Sequence, residues 1–162
     1  MNWKSACLAG ILGMALPVAA HAATATGTLN LSITITASCS VVSATAVNFG
    51  SVASIPGNID QTSTLTVNCS STTPYTVSLG VGGGSGATTA VRKMTNGANV
   101  VNYSLYQDVG RTTLWGSVIG TDTVAGTGSG ANQTLTIYAR TPTQVVPPPG
   151  VYTDAVTVTI TY

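Results

Sequence analysis

The side chains able to do chemistry in this 162-residue sequence are few enough to take one by one. Its acidic residues are four aspartates, Asp60, Asp108, Asp122 and Asp154, and it has no glutamate. His21 is the single histidine, and the thiols are Cys7, Cys39 and Cys69. Acid and base catalysis near neutral pH draws on histidine or on a carboxylate pair, and imidazole is the commonest metal ligand. The aspartates stand 48, 14 and 32 positions apart, with no calcium-loop spacing. The residues therefore predict no enzyme, no catalytic residue, no metal site and no cofactor.

Two glycine-rich stretches, GGGSGA at 82–87 and GTGSGA at 126–131, satisfy a relaxed G-x-G-x-x-G/A pattern. That pattern binds phosphate only where a strand precedes it and a helix follows, and neither stretch opens a helix, so both read as flexible loops. Trp115, Tyr103 and Tyr106 are candidates for a sugar-stacking platform. Core and cross-strand packing is the better reading of them, because Tyr103 alternates inward with its neighbours. Charged residues make up 6% of the chain, and no basic cluster exists to attract nucleic acid or an anionic membrane. So little charge suits a protein that packs with others rather than one kept dispersed by repulsion.

The elements that would position these side chains begin with a segment expected to be removed. MNWKSACLAGILGMALPVAAHA carries Lys4, an apolar run broken by Pro17, and a small-x-small site at its end. Residues 1–22 thus read as a secretory signal peptide cut between Ala22 and Ala23. The apolar run is too short to span a bilayer, so export without a direct membrane anchor is expected. Cleavage removes His21 and Cys7. Cys39 and Cys69 then remain in an oxidising compartment, where pairing is the default outcome, and closing that loop is worth roughly 3 to 4 kcal/mol.

The rest of the chain alternates. Leu65, Val67 and Cys69 share one face of a strand at 62–69, and Tyr75, Val77, Leu79 and Val81 share one at 75–81. Asn96-Gly97 is a hairpin signal before a strand at 99–108. Further strands are expected at 113–119, at 134–140 (Leu135, Ile137, Ala139) and over the closing VYTDAVTVTITY, with a mobile loop at 120–133 and a proline-stiffened one at 141–150. Short strands, regular turn signals and an internal disulfide predict an all-β, immunoglobulin-like antiparallel sandwich. The final strand still runs at Tyr162, which leaves the edge beside it without a partner and predicts an incomplete sandwich lacking its last strand.

At the other end lies ATATGTLNLSITITASC. Gly27, Leu29, Leu31, Ile33 and Ile35 alternate with Thr, Asn and Ser without an error, the mark of a strand with one buried face. The residues alone leave two readings open: the first strand of the chain's own domain, or a strand given to another molecule. The alternation runs on in phase through Cys39 and Val41, which favours the first. An open final edge favours the second.

NYSLYQDVGRTTLWG at 102–116 and GVYTDAVTVTITY at 150–162 resemble the spore coat protein U domain family, which includes subunits of archaic (Csu-type) chaperone-usher pili. The resemblance rests on Tyr103, Leu105, Tyr106, Asp108, Arg111, Thr112 and Trp115 in the first run, and on Gly150, Tyr152, Asp154, Val156, Val158, Thr159 and Tyr162 in the second. It implies a structural subunit of a surface fimbrium, exported through the periplasm, supporting adhesion and biofilm formation. Its implied partners are neighbouring copies or other pilus subunits, a periplasmic chaperone and an outer-membrane usher. The donor strand would lie within residues 23–38, and the sandwich domain over 39–162. The acceptor groove would be lined by Val156, Val158, Ile160 and Tyr162. The alternatives are a secreted spore-coat or cell-coat structural protein, or a monomeric carbohydrate-binding module.

Overall fold

The structure, a computed structural model, describes residues 21–162. Residues 1–20, and with them nearly all of the expected signal peptide, lie outside the described residues. Residues 21–34 form neither helix nor strand, and Ile35–Tyr162 form the folded body. No helix among the described residues is long and apolar enough to cross a membrane.

The body is built of eight strands: β1 (Cys39–Ala44), β2 (Ile59–Cys69), β3 (Pro74–Leu79), β4 (Arg92–Asn96), β5 (Asn99–Tyr106), β6 (Val124–Thr127), β7 (Asn132–Thr141) and β8 (Val158–Thr161). They make a five-stranded sheet in the order β1-β2-β7-β5-β4 and a three-stranded sheet in the order β6-β3-β8, with every pairing antiparallel. This is an immunoglobulin-like sandwich short of a strand. Threonine is the commonest residue of the sequence and valine is among the next, and such β-branched residues fit a pleated surface better than a helix.

The core follows from the alternation. Leu65, Val67 and Cys69 of β2 and Ile137 and Ala139 of β7 face Tyr75, Val77 and Leu79 of β3. The disulfide joins Cys39 to Cys69, which are register partners, and so ties β1 to β2. Trp115 is 1% exposed, and its Nε1–H donates to the Val77 carbonyl at 3.0 Å. A ring buried this way has no face to offer a sugar, so the core reading of Trp115 holds.

Arg92, on β4, is wholly buried, and among the described residues no carboxylate forms an ion pair with it. Its guanidinium donates to the carbonyls of Gly80 (2.8 Å), Thr89 (2.8 Å), Leu79 (3.0 Å) and Trp115 (2.7 Å). Burial pulls its pKa below the ordinary arginine value, yet arginine stays charged at any physiological pH. Arg92→Met is expected to strand these carbonyls without a donor and to cost at least about 3 kcal/mol, because buried acceptors lose their desolvation free energy outright. The urea midpoint at constant slope measures it.

Three expectations from the sequence need correcting. Residues 113–119 are not a strand. After a single bridge between Tyr106 and Leu114, the Asp122 carboxylate accepts from the Val118 amide at 2.7 Å and the chain turns, a local side-chain bond outcompeting a ladder. Within the expected loop at 120–133, Val124–Thr127 pair with β3. Gly126 hides that strand in the sequence, but the Tyr75 ring lies over it so closely that a Cβ would sit 2.6 Å away. The strand expected over residues 151–162 is narrower: only Val158–Thr161 pair with β3, and a single bridge from Thr153 to Thr95 precedes them.

Candidate functional site

Each aspartate has a structural occupation. Asp60 accepts two bonds from Arg140, at 2.7 and 2.8 Å, with Arg111 3.3 Å away. The Arg140 guanidinium, with Arg111 beside it, holds the Asp60 carboxyl below the usual aspartate range. Asp108 accepts from the amides of Thr113 and Thr112, and these bonds lower its pKa too. This turn sets Arg111, at φ +55°, so that it reaches the carbonyls of Ala139 and Gln61 and lies over the Tyr138 ring. The motif from Tyr103 to Trp115 thus builds an architecture. Among the described residues no three His, Cys, Asp or Glu side chains gather where a metal would sit.

The unfinished feature of the body lies elsewhere. Among the described residues β1 is paired only with β2 and β8 only with β3, and these two edges face each other on the same side of the sandwich. Between them opens a cleft of about 430 Å³ whose floor is the core itself, with Leu79, Leu105 and Ile137 at its base. One wall runs from Ala44 to Phe49 and the other from Tyr152 to Val158. A second hollow of about 840 Å³ shares Val47, Phe49, Met94 and Tyr152 with the first and extends it between residues 47–53 and 146–152. The two form one trough.

Along the final segment Tyr152, Asp154, Val156, Val158 and Ile160 are half-buried, while the residues between them are exposed. Val156 and Val158 line the trough, Ile160 packs against the core from β8, and Tyr162, beyond β8, is 60% exposed. Val47, Phe49 and Met94 are also only half-buried against the core. Sequence reasoning singled out the final segment and missed these three. VNFGSV at 47–52 reads as a short strand or bridging segment, and the structure forms no strand there, so nothing in the sequence placed Val47 and Phe49 beside the final segment.

The trough holds one polar station. The Tyr103 hydroxyl donates to Asp154 Oδ2 at 2.6 Å, while Asp154 Oδ1 accepts from the amides of Gly83 (2.7 Å) and Ala155 (2.8 Å). Burial, and then the bond to Asp154, push the Tyr103 hydroxyl above the ordinary phenol range, so it stays protonated and donates.

In residues 21–34 and just beyond, the apolar side of the patterned segment is uncovered: Leu29 is 83% exposed, Leu31 82%, Ile33 87% and Ile35 86%. Four large aliphatic side chains in seven residues form a contiguous strip of the kind that marks an interaction site. Among the described residues, then, the chain carries an open apolar trough and an exposed apolar strip.

Comparison with known proteins agrees with this reading of the fold. The family model described as the Spore Coat Protein U domain matches residues 25–159. The chain is 32% identical to "Protein U" of Myxococcus xanthus over 180 aligned positions, covering all of both chains. Among solved structures it is similar to a chain in the chaperone–tip adhesion subunit pre-assembly complex of archaic chaperone-usher Csu pili of Acinetobacter baumannii. That match has a TM-score of 0.59 and 24% identity, and covers 80% of this chain and 41% of that one. At that identity the likeness is one of fold.

Proposed function

The chain belongs to the Spore Coat Protein U domain family, and from that premise we propose that it is a structural subunit of a surface fimbrium that polymerises by donor-strand complementation. Residues 23–38 are the donor segment, following a signal peptide at 1–22, and residues 39–162 are the sandwich that accepts the donor of a neighbouring copy or another subunit. A periplasmic chaperone holds the subunit before assembly, an outer-membrane usher exports it to the cell surface, and the fibre serves adhesion and biofilm formation.

The observation that carries this reading is the pairing of an unfilled trough with an uncovered strip. Leu29, Leu31, Ile33 and Ile35, buried in a neighbour, contribute roughly 6 to 12 kcal/mol before ordering costs. Thirteen residues at about 3.3 Å each reach roughly 43 Å, the length of a sandwich edge. Addition of a strand to an exposed edge is an established mode of recognition, and its backbone hydrogen bonds add to the apolar term.

The exported protein is expected to run as a ladder of multimers on denaturing gels without boiling and to collapse to monomer on boiling, since such an interface dissociates slowly. Monomer alone under both conditions overturns the reading. A second reading, a secreted coat protein, is favoured by the full-length similarity to Protein U. Adjacent genes for a chaperone and an usher support the fimbrial reading over it.

A further inference from the structure

We infer that Tyr103 and Asp154 are positioning residues of the trough: they fix the place where the final segment crosses from one sheet to the other, and so hold the walls apart by the width of a strand. This rests on the reading of the trough as a strand acceptor. The final segment starts on the five-stranded sheet, where Thr153 exchanges backbone bonds with Thr95 of β4 at 2.8 and 3.1 Å. It ends on the three-stranded sheet, where the Gly80 amide donates to the Thr157 carbonyl at 2.9 Å and Val158–Thr161 pair with β3. Residues 154–157 cross the open side between these anchors.

Asp154 is the first residue of that crossing and the only charged side chain lining either part of the trough. It stands at an inward position in a series otherwise made of Tyr152, Val156, Val158 and Ile160, where an apolar residue would serve burial better. What the carboxylate does instead is join three pieces of chain: β5 through the Tyr103 hydroxyl, the glycine-rich loop through Gly83 N–H, and the crossing itself through Ala155 N–H. Gly82, at φ +84°, packs against the same carboxylate where no Cβ would fit.

Two consequences follow. The charge has its donors before the trough is filled, so an incoming strand covers it without leaving it unpaired. Without the Tyr103 hydroxyl the crossing loses its side-chain link to the floor, and apolar Val156 is free to fall toward Phe49 and Met94 and close the trough. A narrowed trough and an open one then compete, and strand acceptance slows by the fraction of time the trough is closed.

The test uses the full-length exported chain carrying Leu31→Asp, so that its own strip leaves its neighbours' troughs open, and a fluorescent peptide of the unsubstituted residues 24–36; on that background it compares the wild-type trough with Tyr103→Phe, Asp154→Ala and Asp154→Asn. Tyr103→Phe and Asp154→Ala are expected to form the disulfide and melt cooperatively but to take up peptide about tenfold more slowly, with Asp154→Asn, which keeps an oxygen for the two amides, in between. Amide exchange should quicken at residues 154–157 and stay unchanged in β2 and β7, which a loss of global stability would not produce. Wild-type uptake rates in the folded variants, or exchange that quickens equally in β2 and β7, overturn the inference. If Tyr103→Phe does not fold, Asp154→Asn decides by the same two readouts. If the wild-type trough takes up no peptide, the acceptor reading falls and this inference with it; if the wild-type trough binds and the variants match it, this inference alone falls.

Discussion

Leu31→Asp is expected to abolish the multimer ladder while leaving the disulfide-bonded sandwich as stable as the unassembled wild-type monomer. The two halves of this expectation have separate causes. Residues 21–34 contribute no strand, and Leu31 is 82% exposed, so replacing it changes a side chain that the body does not bury. Substitutions at such sites are usually within about 0.5 kcal/mol of neutral. In a neighbour's trough the same residue would lie over a floor of Leu79, Leu105 and Ile137, and a carboxylate there loses its water with no cation to meet it. The lost apolar burial, about 1.5 to 3 kcal/mol, adds to a desolvation penalty of several kcal/mol. At 1.4 kcal/mol per tenfold, a combined loss near 5 kcal/mol weakens each junction by a factor of about 10³ to 10⁴, and a fibre needs every junction. Ile33→Asp should behave alike. Thermal melting and unboiled gels measure both halves, and normal fibres from the Leu31→Asp protein would sink the donor assignment.

The sequence showed much of this fold wherever side chains alternate without interruption. β2, β3, β5 and β7 are regular because one face of each meets the core and a slip of one residue would invert it. It was least legible where a local hydrogen bond or a single close contact decides the matter. The turn closed by Asp122 breaks a segment whose composition reads as strand, and the Tyr75 ring calls for a glycine in the middle of β6, where composition reads as loop. Both depend on contacts with chain more than five residues away or on one carboxylate's choice of partner, which no window of sequence contains.

The candidate site divides the same way. The alternation of the exposed apolar strip was legible in full, because it is a property of one continuous segment. The alternation of the final segment was legible too, but the place of residues 45–53 beside it was not. That stretch is no strand, and only the folding of β1 against β2 brings Val47 and Phe49 beside Met94 and Tyr152. The motif aspartates were recognisable as a pattern, but their work, capping a turn at Asp108 and joining three segments at Asp154, exists only in three dimensions.

Replacing both Cys39 and Cys69 by Ser is expected to lower stability by roughly 3 to 4 kcal/mol, the chain-entropy value for a loop of this length, and to lower Tm by about 10 to 20 °C. Its effect on assembly should exceed what that loss implies. β1 has a single partner, β2, and the ladder between them is already interrupted by a register shift between Val41 and Ser43. The disulfide ties the first residue of β1 to its partner at the end of β2, on the edge that forms the start of one trough wall. An edge strand held by few bonds opens at far less free energy than the core, so without the tether β1 frays while β2 and β7 remain paired. The double variant should therefore lose the ladder at temperatures well below its own Tm, whereas Leu31→Asp loses the ladder while keeping the Tm of the unassembled wild-type monomer. Comparing the two variants separates the strand that is offered from the wall that receives it. A double variant with an unchanged Tm and an intact ladder would show that β1 holds its place without the bridge.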